Sequence, residues 1–504
     1  MLRLAPTPPS SLLSPSPRAS LALRGLHTAV HDRAAVELAV RVALREGTRD
    51  GSIANADERA AVASAIFGTS LLRAKLAFLQ ATMPASHQTS DANDWVTTAH
   101  LLALFLLHEE PQRVEAAAMA AALPPAAIGL PPSELEALAA LDWTDVQWPS
   151  ALIARLASTY SLPAGLVRTW TTMLPSPDEA EALCAALSRP GPVTLRTNLA
   201  VSPTRASLTA SLRAEGIASR AGALSPWAVH LEGGGRQAWG GSIWNVAAWS
   251  RGEFEVQDEG SQCVALACDA AAGEQVLDLC AGNGGKTLAL AAAVGPEGHV
   301  LAHDIILTRL AALRASASRA RVGERVTTAA PDDLPAACRT HAPDGHDVVL
   351  VDAPCSSSGT LRRHPGLRWS GAWSGESASI GAIAKRRALP ALQLQLLRQG
   401  ASLVRPGGRL VYATCALDRR ENEAVAYAFE AACGGSVEPW PFEGAHSHGS
   451  DGLKAQREAH SHFRTLWPHR HDGATDGFFI ARWRVRSPGP DPQWHGNDSM
   501  MNND

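Results

Sequence analysis

Two cysteines stand close behind short apolar runs that are typical of buried strands. Cys355 follows the run Val348–Val351, and Cys415 follows the run Leu410–Ala413. A thiolate is a strong nucleophile, but a free thiol has a pKa near 8.5, so its surroundings must activate it at neutral pH. The spacing therefore indicates two thiols at one edge of a sheet that could take part in covalent catalysis. Four cysteines elsewhere are interpreted as inert core residues: Cys184, Cys268, Cys338 and Cys433.

A glycine-rich segment joins the predicted strand Gln275–Leu279 to a predicted helix. Glycines let the backbone approach a ligand closely, and the first turn of a helix offers free N–H groups. A nucleotide-triphosphate loop is excluded, because that motif requires glycine at the position of Cys280. The segment reads Cys280, Ala281, Gly282, Asn283, Gly284, Gly285, Lys286 and Thr287.

Acidic residues follow the next two predicted strands. Asp304 comes directly after His299–His303, where a carboxylate can accept hydrogen bonds from ribose hydroxyls. Asp332 and Asp333 follow the third strand, where either could bind an adenine amino group. Each acid alone is equally explained as a helix cap. The glycine-rich loop and the two acidic positions in register indicate an adenosine-containing cofactor.

The elements that position these residues alternate between strand and helix from residue 254 to residue 484. This alternation predicts an α/β domain with a mainly parallel sheet, and ligands of such sheets bind at the carboxyl ends of the strands. The predicted strands are Gln275–Leu279, His299–His303, Val326–Ala329, Val348–Asp352 and Gly408–Thr414.

The chain in front of this domain contains two regions with different sequence patterns. Residues 32–189 show helical periodicity almost throughout and predict an all-α region with a connector. Residues 190–253 predict a small α/β module, with strands at Val193–Asn198 and Ala228–Leu231 and a helix over Ser202–Glu215 capped by Ser202. The polar tail, residues 485–504, is expected to be disordered.

The first 31 residues are rich in Ser, Pro and Arg and contain no acid. This composition resembles an organelle transit peptide and favours a mitochondrial or plastid protein. A disordered bacterial extension on a cytoplasmic protein explains the same composition.

The bulk composition limits the function classes. The chain has 504 residues, 46% of them hydrophobic, and a net charge of −4, so any nucleic-acid contact must come from local patches. No apolar run is long enough for a membrane span, and no membrane partner is expected. Its 8 cysteines form neither a disulfide framework nor a zinc-ligand pattern, so no metal is expected.

Five segments resemble motifs of the Sun/Fmu type of RNA cytosine-5 methyltransferase, the bacterial ribosomal form with its nucleolar relatives. The resemblance covers about residues 190–484, and Pro192–Asn198 resembles the first strand of that family's small RRM-like module. The helical region resembles the NusB-type RNA-binding domain of the bacterial enzyme. The five segments are Gln257–Gln262, Leu277–Thr287, Asp352–Pro365, Leu410–Glu423 and Asp476–Ala481.

The resemblance implies a class I Rossmann-like domain that uses S-adenosylmethionine to methylate carbon 5 of cytosine in RNA. It assigns the nucleophile to Cys415 and product release to Cys355, with Asp352 and Lys286 also in the catalytic site. Carbon 5 needs this help because a thiolate added to carbon 6 turns the ring into an enamine. The implied cofactor-binding residues are Cys280, Ala281, Gly282, Asn283, Gly284, Gly285, Lys286, Asp304, Asp332 and Asp352.

Two positions depart from the family pattern. The cofactor loop has Gly282 and Asn283 in place of Ala-Pro, and Gly366 stands where an acid usually follows His-Pro. Losing the proline makes the unfolded loop more flexible without removing any N–H group. Because neither change touches the thiols, we expect activity to be retained.

The expected partner is ribosomal RNA, bound by a monomer. Arginines behind the fourth strand, Arg362, Arg363 and Arg368, with His364 and the run Lys385–Arg387, either contact RNA phosphates or form a solvated surface. Two alternatives remain: a tRNA cytosine-5 methyltransferase, and a catalytically idle RNA-binding assembly factor. An idle descendant has no chemical reason to keep both Cys355 and Cys415.

Overall fold

The computed structural model contains an all-α region, a small antiparallel sheet and a large mixed sheet. The predictions for residues 1–14 and for the tail 488–504 fall outside the described residues. The structure describes residues 15–30, 36–82, 94–109, 123–141, 145–232, 243–369, 373, 380–442 and 462–487.

The all-α region packs around one long central helix, Ala56–Ala81. Asn55 caps its first turn by accepting a hydrogen bond from the Glu58 amide. Its length and apolar composition would also suit a membrane span, but core helices of helical domains give the same signal, and most of its apolar window is buried. The α-helices in this part are Pro17–Val30, Val36–Asp50, Asp94–Leu104, Pro132–Ala139, Leu152–Thr159, Ala164–Met173 and Pro177–Leu187.

The first helix, Pro17–Val30, lies inside the segment 1–31, for which a transit peptide and a disordered extension were the two interpretations. The helix contradicts disorder for residues 17–30. Leu23 and Leu26 are buried in the core shared with the central helix. Two arginines of this segment have acidic partners, since Arg18 pairs with Glu58 and Arg24 with Glu46. The transit-peptide interpretation stays a prediction. Apolar residues at helical spacing thus outweigh the Ser- and Pro-rich composition around them.

The small sheet has the antiparallel strand order β2-β3-β1-β4. The predicted strands at β1 and β3 are confirmed, whereas β2 and β4 span only three residues each and gave no clear sequence pattern. Its helix, Arg205–Ala214, is capped by Thr204 rather than by Ser202. β4 completes this sheet, although the predicted boundary at residue 254 placed it in the catalytic domain. The strands are β1 (Thr194–Thr197), β2 (Ser219–Ala221), β3 (Ala228–Leu231) and β4 (Phe254–Val256).

The large sheet has the order β10-β12-β9-β8-β5-β6-β7, with β11 paired to β12. Five neighbouring strands, β9-β8-β5-β6-β7, are parallel, as predicted, and β12 returns antiparallel to β9. Its strands are β5 (Gln275–Asp278), β6 (His299–His303), β7 (Val326–Ala329), β8 (His346–Asp352), β9 (Val404–Thr414), β10 (Val437–Pro439), β11 (Phe463–Leu466) and β12 (Phe478–Val485). Its α-helices of eight or more residues are Glu259–Ala267, Gly285–Ala293, Leu307–Arg319, Leu334–His341, Ile380–Ser402 and Glu423–Cys433.

The strand order reverses beside β5. The chain runs outward from β5 through β6 to β7 and then returns to β8 on the other side of β5. The loops after β5 and β8 therefore separate at the sheet edge, which is where sheets of this kind bind ligands. The last three helices of the all-α region, called the connector helices here, pack on the same edge, because Leu361 and Leu417 share a core with Trp170. They are Leu152–Thr159, Ala164–Met173 and Pro177–Leu187.

Candidate active site

The glycine-rich loop turns sharply between β5 and the helix Gly285–Ala293. Gly282 and Gly284 have φ values of 55° and 86°, a left-handed conformation that favours glycine. A Cβ at Gly284 would come within 2.5 Å of Leu313, so the loop lies tightly against the neighbouring helix there. A Cβ at Gly282 would meet no atom within 4 Å, which leaves room for a ligand on that side of the loop.

Asp304 lies directly beside this loop, at the end of β6. Its side chain is largely buried, and its Oδ2 atom accepts a hydrogen bond from the Gly282 amide at 2.9 Å. Its Oδ1 atom accepts from the Ile306 amide at 2.8 Å. Asp304 thus fixes the loop while its remaining lone pairs can accept from a ligand. Asp332 and Asp333 are exposed in the turn Pro331–Asp333, at the same edge beyond β7.

The two predicted thiols lie together. Strands β8 and β9 pair with Asp352 opposite Ala413, and this register brings the following loops side by side. The Sγ atoms of Cys355 and Cys415 are 3.4 Å apart. Ser357 Oγ lies 3.4 Å from Cys415 Sγ, on a residue with a φ of 55°. The structure therefore brings together the two cysteines that sequence reasoning selected.

Lys286 and Asp352 connect the cofactor loop to the cysteine loops. Lys286 Nζ donates to Asp352 Oδ2 at 2.6 Å, with only 11% of the lysine side chain exposed. The pKa of Cys415 is lowered, chiefly because Cys355 stabilises its thiolate by a hydrogen bond; Ser357 and the charge of Lys286 act in the same direction. The same pairing raises the pKa of Cys355. The contact between the two sulfurs therefore favours a thiolate on Cys415 over one on Cys355.

Side chains that sequence reasoning did not single out fix both cysteine loops. The Leu417 amide donates to Ser358 Oγ at 2.9 Å, and the Gly359 amide donates to the Cys415 carbonyl at 2.9 Å. Asn422 Nδ2 donates to the Ala416 carbonyl at 2.9 Å. The run of serines after Cys355 and the polar segment after Cys415 are the sequence signals that could have revealed these contacts.

Two of the arginines behind β8, Arg362 and Arg368, are buried, so neither phosphate contact nor a solvated surface describes them. Arg362 is buried, and its Nε atom donates to Asp476 Oδ1 at 2.6 Å. Arg363 Nη2 donates to Asp258 Oδ2 at 2.8 Å and also contacts Asp476. Buried cations need such partners because desolvation is costly. These pairs connect the Cys355 loop to two other family segments.

Arg368 is fully buried and contacts the all-α region. Its Nη1 atom donates to the carbonyls of Leu71 at 3.1 Å and Ser161 at 2.7 Å. Burial lowers the pKa of Arg368 to about 9. His364 pairs with Glu37 at 2.9 Å. The cluster after β8 therefore joins the catalytic domain to the helices in front of it.

The run Lys385–Arg387 lies on the helix Ile380–Ser402. Lys385 and Arg387 are exposed, whereas the Arg386 guanidinium stacks over Trp373, 4.2 Å from the ring centre. Phosphate contact by the two exposed cations stays a prediction.

Asp278, below the glycine-rich loop, is a buried acid that sequence reasoning also missed. Its Oδ2 atom accepts from Thr287 Oγ1 at 2.7 Å, while its Oδ1 atom has no partner among the described residues. Burial raises the pKa of Asp278 to about 7. The side chain joins β5 to the first turn of the following helix.

This raised pKa predicts a particular pH dependence of stability. The folded protein binds the Asp278 proton more tightly than the unfolded chain, so stability falls as pH rises from about 4 to about 7. The slope is about 1.4 kcal/mol per pH unit within that window. Asp278→Asn should flatten this part of the profile in denaturant unfolding measured at several pH values. Asp344→Asn, at an exposed position, is the matched control. An equal slope in wild type and Asp278→Asn would contradict the assignment.

Two family models match the chain. The one described as 16S rRNA methyltransferase RsmB/F matches residues 265–484. The one described as the ferredoxin-like domain of RsmF/B-like methyltransferases matches residues 162–236. The predicted RRM-like module is therefore the family's ferredoxin-like domain, and this match also includes two of the connector helices.

Sequence relatives decide the family. The probable ribosomal RNA small subunit methyltransferase B of Synechocystis sp. is 32% identical over 333 residues, covering 65% of this chain and 67% of that protein. The chain belongs to the RsmB/F methyltransferase family. A second RsmB/F relative, the probable ribosomal RNA small subunit methyltransferase B of Bacillus subtilis, is 35% identical over 277 residues. That match covers 55% of this chain and 57% of the relative, little more than half its length.

Solved structures agree with the RsmB/F fold. The crystal structure of PH0851 matches with a TM-score of 0.66 at 22% identity, covering 95% of this chain and 100% of that one. The predicted fold class is confirmed: a Rossmann-like methyltransferase domain preceded by a small α/β module and an all-α region. The expected cofactor, S-adenosylmethionine, is confirmed by membership of the RsmB/F family. The resemblance of the helices to a NusB domain stays a prediction.

Proposed function

We propose that the protein methylates carbon 5 of a cytosine in ribosomal RNA through a covalent adduct on Cys415. The observation that carries this proposal is the pair of thiols 3.4 Å apart beside the Lys286–Asp352 ion pair. One thiol with a lowered pKa and a second with a raised pKa suit a reaction that needs an attacking and a releasing group. An idle assembly factor gains nothing from this arrangement.

The cofactor assignment rests on the shape and charge of the loop after β5. The open side of Gly282 and the N–H groups at the start of the next helix suit an anionic or polar ligand. Asp304 would accept from the ribose, and Asp332 would lie at the adenine end. S-adenosylmethionine supplies an electrophilic methyl group when bound there.

The residues of the chain then perform the remaining chemistry. The Cys415 thiolate adds to carbon 6 of the cytosine, and the ring electrons make carbon 5 nucleophilic. Asp352 accepts a hydrogen bond from the base and fixes its orientation, while Lys286 stabilises the negative charge at this end of the site. Once carbon 5 carries the methyl group, a base removes the proton from carbon 5, and the electron pair of that bond expels Cys415 from carbon 6 as a thiolate. Cys355, next to that sulfur, aids this release.

Mapping of 5-methylcytosine tests the proposal directly. Bisulfite sequencing of total RNA from cells with and without the gene should reveal one ribosomal cytosine that is protected only when the gene is present. Gene-dependent protection of a tRNA cytosine would assign the protein to transfer RNA instead. No change in any RNA, combined with no methyl transfer in vitro, would overturn the proposal.

The exposed cations on the helix Ile380–Ser402 give a testable prediction about RNA binding. Changing Lys385 and Arg387 to glutamate should weaken RNA binding and flatten its salt dependence, by a slope of roughly 0.7–0.9 for each RNA phosphate that is no longer neutralised. Filter binding over a range of salt concentrations measures this slope. Arg339→Glu, at an exposed position elsewhere in the domain, should leave the slope near its wild-type value. If the slope is unaltered in the double variant, Lys385 and Arg387 do not contact RNA phosphates and are part of the solvated surface.

A further inference from the structure

Two buried side chains fix the peptide groups on both sides of Cys355. Gln393 Nε2 donates to the Pro354 carbonyl at 3.0 Å, and the Ser356 amide donates to Glu421 Oε2 at 2.8 Å. Gln393 Nε2 also donates to Glu421 Oε2 at 3.1 Å, so the two side chains contact each other. Cys355 therefore lies between two backbone groups that a single amide–carboxyl pair controls.

The same pair contains two polar atoms without partners. Gln393 Oε1 and Glu421 Oε1 are both buried and accept no hydrogen bond from any of the described residues. Each unpaired buried acceptor costs free energy, and a buried ionised carboxylate costs more. Since the two side chains already touch through Gln393 Nε2 and Glu421 Oε2, we infer that a proton on Glu421 Oε1 is donated to Gln393 Oε1, which removes both costs. An acid and an amide paired in this way make two hydrogen bonds to each other.

We propose that Glu421 and Gln393 are positioning residues for Cys355, and that Glu421 carries a proton in the resting protein. The role in release rests on the proposed function, whereas the protonated state of Glu421 does not. Glu421 transfers no proton in this scheme. Its proton keeps the pair neutral, and the pair keeps the Cys355 sulfur beside Cys415.

The charges around Glu421 are consistent with a neutral carboxyl. Burial raises its pKa, and within the described part of the chain no lysine or arginine forms an ion pair with it. A negative charge here would also oppose the nearby Cys355 thiolate. The titratable and charged groups that face Glu421 are Asp418 and Arg420 from its own loop, Cys355 from the loop after β8, Tyr412 from β9 and Arg386 from the helix Ile380–Ser402.

A rescue series tests the positioning role. In single-turnover release of methylated RNA, Glu421→Ala and Gln393→Ala should slow release by about tenfold or more and accumulate the protein–RNA adduct. Glu421→Gln should restore release to within about threefold of wild type. Its amide oxygen still accepts from the Ser356 amide, and its NH₂ group donates to Gln393 Oε1. Release as slow in Glu421→Gln as in Glu421→Ala would overturn the proposal.

An infrared difference spectrum tests the proton without any RNA. The wild-type-minus-Glu421→Gln difference should contain the carbonyl band of protonated Glu421, while the bands of other protonated acids such as Asp278 cancel because both proteins have them. Glu438→Gln, which removes a carboxylate paired with Arg486, should keep the band. If wild type lacks this band, Glu421 is ionised and the proposal falls. If neither Cys355→Ala nor Cys415→Ala traps an adduct, the covalent function fails instead, and the infrared band still decides the state of Glu421.

Discussion

We expect Cys415→Ala to lower methyl transfer by about 10⁴-fold or more, because the remaining thiol at the site, Cys355, has a raised pKa and is a poorer nucleophile. The measurement is transfer of a labelled methyl group to ribosomal RNA transcribed in vitro. Cofactor affinity, followed by calorimetry, should stay within a few-fold of wild type, since the glycine-rich loop and Asp304 are untouched.

Cys338→Ala is the matched control for this loss. Cys338 is buried on the helix Leu334–His341, away from both cysteine loops. Its removal weakens packing but leaves every reacting group in place, so the folded variant should retain transfer. If Cys415→Ala retained turnover, Cys415 would not be the nucleophile, and the proposed covalent adduct on this residue would be wrong.

Cys355→Ala should stall the reaction after methylation. The attacking thiolate remains, so the adduct forms, but the group beside it that aids release is missing. The protein should then stay joined to its RNA and migrate as a slow band on a denaturing gel. We expect this band in Cys355→Ala and its absence from Cys415→Ala.

The double variant separates the two roles. Cys355→Ala combined with Cys415→Ala should behave like Cys415→Ala, because release cannot matter when attack never occurs. A band that appears in Cys415→Ala instead would reverse the roles of the two thiols. If both single variants lose activity and neither gives a band, no covalent adduct forms, and the two cysteines act only through packing.

The sequence predicts those parts of the fold that depend on the spacing of apolar residues within a short segment. Strands β6 and β7 have the predicted bounds, because buried parallel strands form short apolar runs between helices. The meeting of Cys355 with Cys415 followed from one rule, that parallel strands end at the same edge. The glycine-rich loop was also predictable, because glycines at this spacing indicate a tight turn in the backbone.

The rest depends on partners that are distant in sequence. Arg362 and Asp476 are separated by 114 positions, so nothing near Arg362 indicates that its charge is neutralised and buried. The Gln393–Glu421 pair was missed because its two members become neighbours only when the helix Ile380–Ser402 packs beside the loop after β9. Composition also gave no sign of the ion pair between Arg18 in the first helix and Glu58, because the two residues are 40 positions apart.

Arg368 has a consequence for the order in which the polypeptide matures on the ribosome. The carbonyls it contacts belong to residues up to Leu187, and Arg368 lies 181 positions later. Segments made first generally fold first during synthesis. The helices therefore present a row of carbonyls to solvent until the loop after Cys355 emerges. Arg368 can donate to these carbonyls only after it has been synthesised, so this contact between the helical half and the catalytic domain forms late in synthesis.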